Sequence, residues 1–150
     1  MVDEEARPAG PGDLAAVAVL ARQLRAELDG QRGAELWRLE ARPEPLETTL
    51  EEADAVVVGT LDDLVVGYAV VHDRTLRDAS VVATVEEIYV LPEARDLGVA
   101  EAMLTRVLAD ARARGCRGVD GRVLPGLREG KNLYERFGMS ARSLTAYRPL

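Results

Sequence analysis

The chain has 150 residues, 47% hydrophobic and 30% charged, the balance of an ordinary globular protein, and one domain over residues 1–150 is the natural expectation. A net charge of −7 argues against nucleic acid, whose binding leans on a basic footprint, and favours a cationic or amine-bearing small partner. A single cysteine, Cys116, and a single histidine, His72, exclude an intramolecular disulfide and leave too few soft ligands for a zinc site, so no metal is expected.

"MVDEEARPAG" is acidic and has no apolar core of a signal peptide, and no stretch approaches the roughly 18 to 20 apolar residues of a membrane span. A cytoplasmic protein with no membrane partner is the expectation. "ARPAGPGDL" reads as a short strand running into a helix start, with Gly10 as N-cap, Pro11 at the first helical position and Asp13 near the helix amides. Leu14, Val17, Ala18, Ala21, Leu24 and Leu28 then recur at helical spacing until Asp29-Gly30. A second helical stretch, 34–50, is interrupted by Pro43 and Pro45. Trp37 within it suits either the core or the wall of a substrate pocket.

Apolar runs at 55–60 and 64–72 around Asp62-Asp63 predict a hairpin, with His72 as an edge residue at its end. "SVVATVEEIYVL" over 80–91 predicts a longer antiparallel strand, and 98–114 a helix with Ala100, Met103, Leu104, Val107, Leu108 and Ala111 on its apolar stripe. Cys116, just past the glycine that stops this helix, reads as a buried thiol. "CRGVDGRVL" is a short strand, a helix follows Pro125 and ends at Phe137-Gly138, and "MSARSLTAYRPL" supplies one or two closing strands. The expected order is β-α-α-β-β-β-α-β-α-β, an α/β chain of the α+β type with a strand, crossover helix and parallel strand at its centre.

At that centre, "LPEARDLGVAEAML" places an arginine and a glycine at the mouth of a helix with no room for a loop. The first amides of a helix lack intrahelical partners and carry the positive end of its dipole. Gly98 lets a ligand approach the backbone and Arg95 adds a forked cation, so the turn is an anion site suited to a diphosphate. Rival phosphate motifs fail on counting. Three residues, not four, separate Gly126 from Gly130, Asn132 follows Lys131, and no G-x-G-x-x-G opens a helix.

"EEIYVLPEARDLGVAEAML" resembles the acyl-CoA-binding segment of the GNAT superfamily of N-acetyltransferases, where a strand ends in V-x-P and R/Q-x-x-G-x-G/A opens the next helix; Val90, Pro92, Arg95, Gly98 and Ala100 match it. "KNLYERFGM" is similar to the family's A-x-x-L-Y-E-x-x-G-F segment, and "RPAGPGDL" to its opening R-P-A-T-P-x-D-L, all three in the family's order. The resemblance implies a GNAT-like mixed, mostly antiparallel twisted sheet flanked by helices, with acetyl-CoA as cosubstrate and direct attack by a primary amine of a small molecule or peptide.

It further implies that Arg95, Gly98, Val99 and Ala100 hold the diphosphate, with Asp96 and Leu97 as the remaining residues of that cofactor-binding turn, and that the strand backbone at Ile88 and Val90 pairs with the pantetheine arm. Asn132 would sit beside CoA, Tyr134 would protonate the sulfur, and Glu87 would take the amine proton in preference to Glu86. As strand neighbours these two glutamates would face opposite sides, Glu87 with Val85 and Tyr89, Glu86 with Ile88 and Val90. Asp96, Leu97 and Glu101 depart from the family's glycines and basic residues, and carboxylates there compete with phosphate for the helix amides. The alternatives are a non-catalytic CoA-binding or regulatory module on the same fold and an interaction protein using its acidic surface. Exposed sheet edges would permit a homodimer.

Overall fold

The computed structural model describes residues 3–150, so the first two residues of the acidic N-terminal segment lie outside it. The β-branched runs form a five-stranded sheet in the order β1 (Glu4–Pro8), β2 (Ala55–Leu61), β3 (Leu64–Thr75), β4 (Val81–Val90) and β5 (Gly118–Gly121). The helices are α1 (Leu14–Leu28), α2 (Ala34–Glu40), α3 (Leu46–Thr49), α4 (Val99–Ala113) and α5 (Arg128–Arg136). Neighbouring strands are antiparallel except β4 and β5, which run parallel and are linked by α4 as crossover. The β2–β3 turn is two aspartates with positive φ, Asp62 at 47° and Asp63 at 69°, the handedness that matches strand twist in a tight hairpin. The two prolines of the second helical stretch break it into α2 and α3, as expected.

Each face of the sheet is covered by helix. On one, Val17, Ala18 and Ala21 of α1 with Leu46 of α3 pack on Val58, Tyr68, Val70 and Tyr89. On the other, Val99, Met103, Leu104 and Val107 of α4 with Leu133 of α5 pack on Val57, Ala69, Val71 and Val85. Helix α4 sits close because two strand positions have no side chain. A Cβ at Gly59 would stand 3.0 Å from the Met103 sulfur, and one at Gly67 would stand 2.8 Å from the Tyr89 carbonyl.

Two features of β4 shape the rest. Val70 pairs with Glu87 and Val71 with Val85, so Glu86 is an extra residue opposite no partner, a β-bulge. The alternation therefore flips at Glu86. Ala83 and Val85 pack toward α4 before it, whereas Tyr89 packs toward α1 after it, and Ile88 and Val90 now face α4. The expectation that Glu87 shares its face with Val85 is corrected by this inserted residue. Pairing with β5 also stops here, at Val85 with Gly121 and the Arg122 amide donating to the Val85 carbonyl at 3.1 Å. Beyond that point β4 and the chain after β5 part, and a cleft opens between them.

The closing strands expected over 139–150 do not form. Met139 packs partly on the core, but residues 140–150 carry no regular structure and are exposed, Leu144 and Tyr147 included. Their natural partner would be β5, whose four residues include two glycines and offer few cross-strand contacts. Arg142 bonds the Asp120 carboxylate at 3.1 Å instead. Among the described residues no helix is long and apolar enough to cross a membrane.

Candidate active site

The cleft measures about 860 Å³ and is bounded by Glu86–Val90 of β4, the turn and first residues of α4, the segment after β5, and α5. Of the expected site residues, Glu87, Ile88, Val90, Arg95, Asp96, Val99, Ala100, Asn132 and Tyr134 all line it. Leu97 and Gly98 belong to the same turn, Leu97 exposed and Gly98 the left-handed N-cap of α4 at φ 87°. Asp96 is also left-handed, at φ 65°. This backbone turns the chain from strand to helix in a few residues and leaves the amides of Gly98, Val99 and Ala100 at the helix mouth without intrahelical acceptors. Glu101 does not cap them; its carboxylate is held by Arg136 of α5 at 2.6 Å.

Tyr134 is 6% exposed and its ring lies over Gly121, where an added Cβ would come within 2.7 Å of the Tyr134 oxygen. That hydroxyl is buried with no hydrogen-bond partner among the described residues. An orphaned buried hydroxyl is costly unless something occupies its partner position. Burial, with the charge of Asp120 adding to it, raises the phenol well above its ordinary range, so it keeps its proton at neutral pH.

Arg95 is already engaged. Its Nε donates to the Val90 carbonyl at 2.9 Å, one Nη donates to Glu27 at 2.9 Å, and the guanidinium stacks 5.5 Å from the Tyr89 ring. Tyr89 also donates to Glu27, at 3.1 Å, and burial together with that bond pushes its phenol up to about 12. A diphosphate at the helix mouth would compete with Glu27 for Arg95. Asn132 is exposed on α5, facing the cleft rather than any protein partner that would fix it.

Glu87 is not the free carboxylate expected of a base. It accepts from Arg25 at 2.9 and 3.3 Å and from the Tyr68 hydroxyl at 2.8 Å, and Arg25 and Glu87 are 6% and 5% exposed. Burial and the Glu87 charge hold the Tyr68 phenol well above its ordinary value, so it remains a donor. Arg25 also donates to the Ala21 carbonyl at 3.0 Å and lies 5.3 Å from the Trp37 ring. Trp37 is half-buried against the cleft, not in the core. Sequence reasoning missed Arg25, Tyr68, Glu27 and Arg136. Arg25 carried a signal, because a charge four residues from Ala21 on the apolar stripe of α1 has to find a buried partner. His72 pairs with Asp54 at 2.9 Å, and neither lines the cleft.

The strands part beside a helix mouth, and the Tyr134 hydroxyl, partnerless among the described residues, lines the same cleft. The sequence profile described as the acetyltransferase (GNAT) family matches residues 20–139, and the chain belongs to that family. The fold is similar to that of the ribosomal-protein-alanine N-acetyltransferase from Brucella melitensis biovar Abortus 2308, at TM-score 0.77 and 20% identity over 99% of this chain and 98% of that one. The aminoglycoside N-acetyltransferase AAC(6')-Iy, in complex with the bisubstrate analogue CoA-S-monomethyl-acetylneamine, aligns at TM-score 0.76 and 21% identity over 99% of both chains. A transcriptional regulator from Bacillus halodurans C-125 aligns at 0.73 and 18%, over 99% of this chain and all of that one. No curated protein sequence matches the chain.

Proposed function

We propose that this chain, read as one domain over residues 1–150, is a cytoplasmic N-acetyltransferase that moves an acetyl group from acetyl-CoA directly to a primary amine of a small molecule or peptide. The observation that carries the reading is the Tyr134 hydroxyl, buried, protonated and without a partner inside the cleft. The residues present fit the cosubstrate. The amides of Gly98, Val99 and Ala100, with Arg95 and the Asp96-Leu97 turn, would hold the diphosphate. The edge of β4 at Ile88 and Val90, past its last pairing with β5, would bond the pantetheine arm, with Asn132 alongside and the Val90 carbonyl shared with Arg95.

Acetyl-CoA supplies an activated thioester carbonyl and a thiolate leaving group. The chain aligns the amine with that carbonyl and excludes water, and orientation of this kind contributes several kcal/mol. Tyr134 donates its proton to the departing sulfur, and a carboxylate at the β4 bulge removes the proton with which an alkyl amine arrives at neutral pH. The acidic surface favours a cationic acceptor. The bonds from Arg95 to Val90 and Glu27 favour the second reading, a CoA-binding module without catalysis.

The two readings separate in a transfer assay that follows CoA thiol release and acetylated product together, with neamine and a peptide bearing a free N-terminal alanine as acceptors. The enzyme reading expects product from one of them and a fall of about 100-fold in kcat for Tyr134→Phe with acetyl-CoA affinity kept. Tight acetyl-CoA binding with no product from either acceptor would favour the non-catalytic module.

A further inference from the structure

Glu101 stands where a carboxylate ordinarily closes a helix mouth. With Gly98 as N-cap of α4, Glu101 is the third helical residue. A glutamate at that place reaches back to the N-cap amide, as in one half of a capping box, and the helix dipole favours its charge. Both effects set it against a phosphate that needs the same amides. Yet no side chain caps α4. The Glu101 carboxylate turns to α5 instead and accepts from Arg136 at 2.6 Å.

The fold places Arg136 for this contact. It lies in the last turn of α5, where the negative end of the helix dipole favours a cation, and both it and Glu101 line the cleft. The mouth is otherwise rich in acid. Asp96 sits in the turn, a carboxylate oxygen of Glu4 lies 3.6 Å from where a Cβ on Gly98 would stand, and Arg95 is occupied by Glu27. Neutralising one more carboxylate therefore matters to a multiply charged anion. The same cleft calls for a ligand on separate grounds, because the Tyr134 hydroxyl within it belongs to a side chain 6% exposed and has no partner among the described residues. We propose, resting on the N-acetyltransferase reading, that Arg136 is a positioning residue for the cosubstrate: it holds Glu101 off the first amides of α4 and so keeps them open to the diphosphate.

The pair is exposed, its side chains 55% and 43% accessible for Arg136 and Glu101, so it adds little to folding. Its loss should show in ligand binding rather than in stability. Without Arg136 the freed carboxylate has two ways to harm the site: it can accept from the Gly98 amide, and its charge repels the incoming phosphates. Removing Glu101 as well abolishes both. The effect of Arg136 on binding therefore exists only while Glu101 is present.

The test is calorimetric titration of the full chain with acetyl-CoA and with dephospho-acetyl-CoA, which lacks the ribose phosphate but keeps the diphosphate. Arg136→Met should weaken both about three- to tenfold, with the melting temperature within a few degrees of the wild type. Glu101→Ala should bind at least as tightly as the wild type, and Arg136→Met combined with Glu101→Ala should return to within about twofold of Glu101→Ala alone. Before ligand is added, hydrogen exchange of the Gly98 amide, followed by NMR, should slow in Arg136→Met and not in the double variant. Wild-type affinity or unslowed Gly98 exchange in Arg136→Met overturns the inference. So does a double variant as weak as Arg136→Met, the result if Arg136 touched the ligand itself or served only to tie α5 to α4. A loss confined to acetyl-CoA overturns it too, because Arg136 would then be reading the ribose phosphate. Binding of neither ligand by the wild type overturns the N-acetyltransferase reading, and the inference with it.

Discussion

Replacing Glu87 by alanine tests the buried network most sharply. The substitution removes the acceptor of three bonds, from Arg25 at 2.9 and 3.3 Å and from Tyr68 at 2.8 Å. Arg25, its side chain 8% exposed, would keep only the Ala21 carbonyl at 3.0 Å and the Arg42 carbonyl at 3.4 Å, and the fully buried Tyr68 hydroxyl would lose its acceptor. Removing one member of a buried ion pair costs about 3–5 kcal/mol, chiefly the penalty of the charge left behind. Typical stabilities of about 5–15 kcal/mol make that a large share of the total. Urea unfolding followed by tryptophan fluorescence should show the midpoint falling with the slope unchanged, and the melting temperature should drop by about 6–20 °C. The paired change Arg25→Met with Glu87→Leu, which removes both charges, should recover most of the loss. A loss under about 1 kcal/mol for Glu87→Ala, the scale of an exposed pair, would refute the network's buried character.

Gly121→Ala would drive a Cβ to 2.7 Å from the Tyr134 oxygen; a loss of about 1–3 kcal/mol in urea and of acetyl transfer is expected, whereas Gly118→Ala, with nothing within 4 Å, should be tolerated. Arg95→Ala should weaken acetyl-CoA binding by about 1.5–3 kcal/mol in calorimetric titration, and Glu27→Ala, which frees Arg95 from its partner, should strengthen it. The Arg7 guanidinium, at 2.6 Å, and the Gly10 amide, at 2.7 Å, hold the Asp13 carboxyl below its ordinary value. Its contribution is therefore fully present above the unfolded value near pH 4 and lost as pH falls through the lower folded value. Asp13→Asn should cost no more than about 1 kcal/mol at neutral pH, since Arg7 is half exposed, and should flatten the acid limb of a stability-against-pH curve.

The strand–turn–helix at 81–113 was legible because its signals are local: branched residues, a proline at the strand end, and a glycine whose positive φ the helix mouth requires. Arg95 and Ala100 were singled out by that motif and Tyr134 by the resemblance of a second short segment, and all three line the cleft. The face that Glu87 shares was not legible, because strict alternation holds only for a regular strand and one inserted residue reverses it. Arg25 and Tyr68 come from elements 62 and 19 residues away in sequence, and only the folded sheet brings them to Glu87. The tail failed for a different reason. Its apolar residues suggested a strand, but a strand also needs an edge, and β5 is too short and glycine-rich to supply one.

The central claim is that the mouth of α4 and the parted end of β4 form a working acetyl-CoA site. Calorimetric titration of the intact chain with acetyl-CoA, with free CoA as comparison, tests it directly. Saturable binding near micromolar affinity, about −8 kcal/mol, is expected, with the melting temperature rising as ligand is added. No heat at any temperature tried, and no thermal shift at high ligand, would contradict it and leave Arg95 as a structural clamp between Val90 and Glu27.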